Sequence, residues 1–347
     1  MALVFGDSFD HYNIADILKK WTSKNAALNS DIGPAYALPP HGSGLVIGGS
    51  SGSYIEKTLP ATQETFIAGV WFRISSFATV SAIMTFIDGS TEHVSVRYDN
   101  TAHLTFTRNG TVLATSSSTM SVDTWYHIEV KVTIGDTADS PTGRYQVQVN
   151  GTATGWIADS GTGVDTRNAG NKYITGVRLN CFTNASAALG PRFQDFYILN
   201  TTGSVAVDFL GPCRFQVIRP TGVGNSAQWT GNYADNWQNV NDFFGDSDST
   251  FNQHSTAGGT DLFTMGDVPA GTVHALQHVL MARQDAGAAR TVRPKTRISA
   301  TNYSGTSIAT AASYVFITEP VSVSPATSAQ WTAAEVNAAE FGYELVS

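Results

Sequence analysis

Short runs in which apolar and polar residues alternate recur along the chain and constrain its fold more than any other feature. In residues 124–151, TWYHIEVKVTIGDTADSPTGRYQVQVNG, two such runs flank a polar loop and place their apolar residues on one face: Ile128, Val130, Val132, Ile134, Tyr145, Val147 and Val149. Each run is typical of an antiparallel strand that buries one face and exposes the other. Asn109-Gly110 and Asn150-Gly151 favour two-residue hairpin turns. The pattern predicts an all-β protein in which His127, Glu129, Lys131 and Thr133 face solvent.

The alternating runs form two groups along the chain. The first group covers residues 65–74, 81–88, 93–99, 103–110, 125–134, 144–151, 173–182 and 192–200, and the second covers 213–220, 272–284, 291–298, 313–320 and 341–346. The pattern pauses between the groups, around Gly203 and Gly211-Pro212. We therefore predict a sandwich domain of residues 1–207 and a smaller β-sandwich of residues 208–347.

Two short helices interrupt the strand pattern. Near the start, the spacing of Ile14, Ile17, Leu18 and Trp21 predicts one amphipathic helical face. Near the end, Thr332 and Glu335 form a capping box that begins a single helical turn.

Composition excludes several partners. Of 347 residues, 14% are charged and 32 are glycine, and the net charge is −8 without a basic cluster. A nucleic-acid interface requires a basic stripe, and residues 290–297, RTVRPKTR, are the nearest approach to one, which we interpret as the exposed face of a strand. The sequence contains no apolar run long enough for a membrane helix and no signal peptide, so synthesis in the cytoplasm is expected.

The first domain resembles the laminin-G/concanavalin-like jelly roll. The resemblance is carried by FIAGVWFRI, by the hairpin TWYHIEVKV…GRYQVQVNG and by RFQDFYIL. The segments DFYILNTTGSVAVDFLGPCRFQVIRPTGVGNSAQWT and WTAAEVNAAEFGYEL are similar to those of tailed-bacteriophage structural proteins. Those proteins place a laminin-G-like domain before a small β-sandwich. The resemblance implies a virion component and leaves open whether it belongs to the head or the tail.

The carboxylates of the first domain do not form a known catalytic pattern. Concanavalin-like glucanases place a Glu-x-Asp-x-Glu cluster on one strand. Here Glu129 and Asp195 each stand alone on a predicted strand, and Glu92 lies in a predicted loop. We therefore predict no catalytic residues and a protein that is not an enzyme.

The candidate metal ligands are also isolated. His274 and His278 have the spacing of a zinc pair on a helix, but residues 272–284 read as a strand, where four positions span roughly 13 Å. Asp246 and Asp248 lack the further ligands of a calcium loop. Cys181 and Cys213 lie in separate strand-like runs, which favours two buried thiols over a disulfide. We predict neither a metal nor a cofactor.

Large rings crowd one turn-rich segment of the second domain and form the candidate partner-binding residues: Trp229, Tyr233, Trp237, Phe243 and Phe244. Three interpretations remain open. The rings fill the core of this domain, they dock on another protein, or they form a platform for sugars.

Together these features predict a non-enzymatic structural component on the surface of a tailed-phage virion, present in many copies as a tail-associated or capsid-decorating protein. Its expected partners are other virion proteins and host surface glycans, with no nucleic acid and no membrane. The alternative is a carbohydrate-binding module.

Overall fold

Antiparallel strands dominate the computed structural model, which describes residues 2–25, 28–39, 42–49, 52–136, 142–168, 170–181, 190–285, 287 and 289–347. The fold is all-β, as the alternating pattern predicts. The chain divides into a first unit, Met1–Phe215, and a second unit, Gln216–Ser347.

The first unit contains fifteen described strands: β1 (Leu3–Asp7), β2 (Ser23–Lys24), β3 (Leu28–Gly33), β4 (Gly44–Gly49), β5 (Ser53–Gln63), β6 (Thr65–Arg73), β7 (Ser81–Asp88), β8 (Thr91–Tyr98), β9 (His103–Arg108), β10 (Thr111–Thr119), β11 (Tyr126–Thr133), β12 (Arg144–Val149), β13 (Thr152–Ile157), β14 (Ile174–Cys181) and β15 (Arg192–Asn200). The predicted helix near the start is a 3₁₀ turn, Ile14–Asp16, that continues as α1, Ile17–Lys20. A second 3₁₀ turn is Pro34–Tyr36. Ile17 and Trp21 are buried as predicted, whereas Leu18 is 51% exposed.

These strands form two sheets. Among the described residues, sheet A has the order β13-β12-β11-β6-β15-β4-β3, with β1 also paired to β15, and sheet B has the order β10-β9-β8-β7-β14-β5-β2. β11 and β12 form the predicted hairpin, in which Val130 pairs with Val147. The next turn, Asn150-Gly151, joins β12 to β13. Its two residues have φ values of 53° and 83°, the positive angles that a two-residue hairpin turn requires.

The core of the first unit lies between the two sheets. The Phe72 ring of sheet A lies 6.0 Å from the Tyr98 ring of sheet B, and Tyr145 of sheet A stacks on Phe106 of sheet B at 4.2 Å. Because side chains alternate along a strand, residues 95, 97, 105 and 107 of β8 and β9 point to the opposite, outward side of sheet B.

The second unit contains ten described strands: β16 (Pro220–Ala227), β17 (Thr230–Gly231), β18 (Asn252–Gln253), β19 (Thr260–Met265), β20 (Leu276–Ala282), β21 (Thr291–Ile298), β22 (Thr301–Ser304), β23 (Ile308–Ala309), β24 (Val315–Val321) and β25 (Glu340–Leu345). The larger sheet in the described part has the order β16-β19-β25-β21-β22, with β23 paired to β21; β20 pairs with β24 and β17 with β18. A 3₁₀ turn, Asn236–Asn239, follows β17.

The β20–β24 pair packs on the larger sheet of the second unit. Ile317 of β24 lies in one apolar cluster with Val292 of β21 and Leu345 of β25. The N-cap half of the predicted capping box is present: the Thr332 side chain accepts a hydrogen bond from the Glu335 backbone N–H at the start of α2, Ala333–Ala338. The Glu335 carboxylate accepts a hydrogen bond from the Ser324 hydroxyl.

The first unit extends beyond the predicted domain boundary. Residues 208–215, placed by the sequence pattern in the second domain, belong to the first unit, which ends at Phe215. No helix among the described residues has the length and apolar character needed to cross a bilayer.

Candidate functional site

Glu129, expected to face solvent, is buried. It lies on the outward side of sheet A, where its Oε1 accepts hydrogen bonds from the Tyr197 hydroxyl at 2.5 Å and the Leu210 backbone N–H at 2.8 Å. Its Oε2 accepts one from the Gly211 N–H at 2.9 Å. Burial raises the pKa of Glu129 above its ordinary value. This carboxylate anchors the segment that leaves the first unit's last strand.

Asp195 anchors the same segment. Its carboxylate accepts hydrogen bonds from the Phe215 backbone N–H at 3.1 Å and from Arg214 at 3.2 Å. The Arg214 guanidinium also lies 5.1 Å from the centre of the Trp71 ring, whose indole N–H donates to the Cys213 carbonyl. The carboxylates of Glu129 and Asp195 therefore bind residues of the same chain. Residues 208–215 cover this part of sheet A.

The buried ion pair of Asp7 and Lys20, near the N-terminus, also has a structural role. Asp7 accepts hydrogen bonds from Lys20, Tyr12, Trp21 and the Phe9 backbone N–H. Four donors satisfy the buried carboxylate, so its charge is compensated within the unit.

The outward side of sheet B is polar across neighbouring strands. Strand pairing places Glu56 beside Arg178, Arg178 beside Thr85, Thr85 beside Ser95, and Ser95 beside Thr107. With strands roughly 4.8 Å apart, this row crosses about 19 Å of sheet. Thr85, Ser95 and Thr107 are buried.

The small residues of this row form a hydrogen-bonded floor. The Ser95 and Thr107 hydroxyl oxygens lie 2.8 Å apart, and the Thr85 hydroxyl donates to the Asn180 side-chain carbonyl at 3.0 Å. Ser95 also donates to Glu92 at 2.8 Å and accepts from Arg97 Nε at 2.7 Å. The floor therefore fixes the side chains of Glu92 and Arg97.

Two arginine–glutamate pairs stand on this floor with their side chains partly exposed. Arg97 Nη2 lies 2.9 and 3.1 Å from the two carboxylate oxygens of Glu92, with the side chains 19% and 20% exposed. Arg178 Nε donates to Glu56 at 2.8 Å, and its guanidinium lies 4.2 Å from the centre of the Tyr54 ring. We call Tyr54, Glu56, Glu92, Arg97 and Arg178 the Arg–Glu face.

Glu92 lies at the beginning of β8, not in a loop as predicted. The β7–β8 pairing is irregular between Phe86 and Ile87, and this irregularity allows Glu92 to reach Ser95 and Arg97. Sequence reasoning missed the Arg–Glu face because its members come from strands distant in sequence. The available signal was the alternation of Ser95 and Arg97 with Val94 and Val96.

The predicted aromatic residues have different surroundings in the second unit. Trp229 is partly buried and packs against the apolar cluster of Val292, Ile317 and Leu345. Its ring meets Tyr343 edge-on at 4.8 Å, and its indole N–H donates to the Gly259 carbonyl. Trp237 is half-buried, and the exposed rings are Tyr233, Phe243 and Phe244. Phe243 and Phe244 meet edge-on at 4.7 Å, and the Arg219 guanidinium lies over Phe243 at 4.6 Å.

The strand predicted over residues 272–284 is confirmed for Leu276–Ala282 only. His278 lies in β20 and His274 precedes it. The His278 Nε2 lies 3.1 Å from the Thr296 hydroxyl, and burial lowers the pKa of His278 to about 4. Among the described residues, no three His, Cys, Asp or Glu side chains are grouped as a metal site.

The remaining predicted candidates have ordinary structural partners. Asp246 accepts hydrogen bonds from Thr250, and Asp248 pairs with Arg283. Cys213 is a free thiol, and the side chain of Cys181 lies outside the described residues.

Comparison with known proteins gives structural neighbours only. No family model and no curated protein matches the sequence. An alginate lyase from Aplysia kurodai has 12% identity and a TM-score of 0.41, covering 57% of this chain and 99% of that one. A family 131 glycoside hydrolase from Coprinopsis cinerea has 13% identity and a TM-score of 0.36, covering 62% and 98%.

A sialidase from Trypanosoma rangeli has 12% identity and a TM-score of 0.33, covering 52% of this chain and 30% of that one. The neighbours are carbohydrate-active proteins. With identities of 12–13% and TM-scores below 0.5, they transfer neither a substrate nor a reaction to this chain. None of them is a phage protein by its description.

The prediction that the protein is not an enzyme is corrected by this comparison. The neighbours are enzymes, and that finding contradicts the prediction. A missing Glu-x-Asp-x-Glu cluster excludes one catalytic arrangement and not catalysis in general.

Proposed function

We propose that the first unit binds a glycan at the Arg–Glu face. The observation that carries the proposal is that two arginine–glutamate bridges stand on one side of a sheet, and one of them, Arg97–Glu92, is held by the buried Ser95 hydroxyl. Sites for small molecules combine a few fixed polar groups with apolar or aromatic surface. Here the polar groups are Arg97 with Glu92 and Arg178 with Glu56, and the aromatic surface is Tyr54.

The floor supports this proposal on energetic grounds. A long side chain loses rotamer freedom when it binds a ligand, at a cost of roughly 0.5–1.5 kcal/mol each. Ser95 already holds both Arg97 and Glu92 through hydrogen bonds of 2.7 and 2.8 Å. A ligand therefore meets side chains whose orientation is set before binding.

The test is glycan binding by the full chain and two variants. A glycan array identifies ligands, and calorimetry then measures their Kd for the wild type, Arg97→Ala and Arg178→Ala. We expect each variant to weaken binding about tenfold or more, the equivalent of one lost charge-assisted hydrogen bond.

The matched control is Arg144→Ala. Arg144 lies in β12 of sheet A and pairs with the exposed Asp159, so its loss removes an ion pair away from the Arg–Glu face. Its Kd should stay within about twofold of the wild type. Binding that survives both face variants unchanged would contradict the proposal, as would an array without any bound glycan.

A second proposed role is docking of the second unit on another virion protein. The exposure of Tyr233, Phe243 and Phe244, at 52%, 44% and 37%, favours it. The virion itself is an expectation from sequence resemblance. Replacing Trp237 and Phe243 with Ser should remove the protein from particles while the first unit stays folded; full incorporation of that variant would contradict this role.

A further inference from the structure

Both arginines of the Arg–Glu face are already neutralised. Arg97 meets both carboxylate oxygens of Glu92, and Arg178 is bonded to Glu56. Two guanidinium groups thus stand against two carboxylates, and the four side chains carry no net charge. An acidic sugar would have to displace a glutamate from its arginine or lie beside that glutamate's negative charge.

The same pairs suit sugar hydroxyls. A hydroxyl group donates one hydrogen bond and accepts others, whereas a guanidinium only donates and a carboxylate only accepts. Each pair therefore offers a donor and an acceptor side by side, which matches two neighbouring hydroxyls. Along sheet B the Arg178 and Ser95 positions are two strands apart, about 10 Å, so the two pairs are spaced for separate rings of one chain.

The net charge of the whole chain also disfavours acidic ligands. Asp and Glu number 28 against 20 Lys and Arg, which gives a net charge of −8. A surplus of negative charge repels an approaching polyanion at low ionic strength.

We infer that the ligand of the Arg–Glu face is a neutral, hydroxyl-rich oligosaccharide and not a uronate, sialylated or sulfated one. This inference rests on the proposed glycan-binding function and assigns its ligand class. Glu92 and Glu56 are then ligand-binding groups in their own right, as acceptors for sugar hydroxyls.

The experiment measures Kd for the full chain with two classes of glycan. The neutral class is hexasaccharides of glucose, mannose and galactose, and the acidic class is hexasaccharides of guluronate and mannuronate together with sialyllactose. Each titration is made at 50 and at 500 mM NaCl. The variants are Glu92→Gln and Arg97→Ala. The control is Asp159→Asn, which removes the carboxylate that pairs with Arg144 of sheet A.

We expect a neutral hexasaccharide to bind at least tenfold more tightly than any acidic one, with less than a twofold change between the two salt concentrations. Glu92→Gln should weaken the neutral ligand at least fivefold and improve the acidic ones, because it leaves Arg97 with an uncompensated charge. Asp159→Asn should change neither.

Three results would overturn the inference, and they differ in what they say of the proposed function. Acidic glycans that bind more tightly, lose affinity in high salt and are lost in Arg97→Ala would refute the ligand class while keeping the site. Neutral glycans that bind equally well to both face variants would refute the site. If no glycan of either class binds, the proposed function fails and the inference fails with it.

Discussion

At the scale of the residue, burial shifts the pKa of an ionisable side chain in the first unit away from its ordinary value. His127 is fully buried on the outward side of sheet A, with its ring 5.3 Å from Trp71 and 6.0 Å from Tyr197. Burial and the nearby positive charge of Arg214 lower the pKa of His127 to about 4. The neutral imidazole is therefore the form that the fold accommodates.

This pKa predicts acid sensitivity. The unfolded chain binds a proton to His127 near pH 6.5 and the folded chain only near pH 4, so the contribution to stability is complete above pH 6.5 and is lost as pH falls towards 4. Between pH 7 and 4.5 the unfolding free energy should fall by about 2 kcal/mol more in the wild type than in His127→Gln. Calorimetry of the first unit's transition in the full chain measures the difference.

The control for this prediction is His103→Gln, at a histidine that is 30% exposed. Glu129 acts in the opposite direction, since its raised pKa lets the folded state hold a proton above pH 4.5. Because His127 Nδ1 lies 3.9 Å from Glu129 Oε2, the two groups titrate as a coupled pair, and the difference between the wild type and His127→Gln reports on that pair. An equal pH dependence in these two proteins would refute the role of His127.

At the scale of the element, residues 208–215 are attached to sheet A, although they do not pair with it as a strand in the described structure. The segment is attached by hydrogen bonds from its backbone N–H groups to two carboxylates, Glu129 on β11 and Asp195 on β15. Phe215 completes the attachment against Gly6, where a Cβ atom would lie 2.3 Å from the ring. Gly6 leaves the space that the ring occupies.

Glu129→Gln should therefore loosen the segment. The amide retains one acceptor oxygen but turns an N–H₂ donor towards a backbone N–H, which leaves a buried donor unsatisfied at a cost of about 1–3 kcal/mol. We expect a loss of stability in that range and faster proteolysis within residues 208–215. Lys131→Gln, which removes the exposed ion pair to Asp208, should cost less than about 1 kcal/mol. Equal effects of the two substitutions would contradict this account of the anchor.

At the scale of the whole molecule, each unit has its own core and its own sheets. The first unit has its core between sheets A and B, and the second has apolar clusters around Trp331 and Phe341 and around Val292 and Ile317. The domain prediction placed the division at residue 207, whereas the first unit ends at Phe215. The difference concerns the segment anchored by Glu129 and Asp195.

Two fragments distinguish the boundaries. Residues 1–215 should fold alone with a cooperative transition, because they contain both sheets and the anchored segment. Residues 1–207 should be less stable by roughly 1–3 kcal/mol, because the hydrogen bonds from residues 208–215 to Glu129 and Asp195 are lost and the surface under Phe215 is exposed. Denaturant unfolding of the two fragments measures this, and equal midpoints would show that the segment adds nothing to the first unit.

The sequence by itself determined the local structure. Alternation predicted the all-β fold and the inward face of β11, Asn150-Gly151 predicted the hairpin turn, and Thr332 predicted the start of α2. These features depend on neighbours within a few residues, and local conformational preference is enough to encode them.

Only the tertiary structure decided which outward faces became sites. Alternation could not show that residues 208–215 would cover Glu129, nor that Glu56, Arg178 and Ser95 would stand in one row. Strand order depends on which edges meet in the assembled sheets, and a period of two residues is the same whichever partner a strand finds. The anchor and the Arg–Glu face are therefore properties of strand pairing across the chain and not of any single strand.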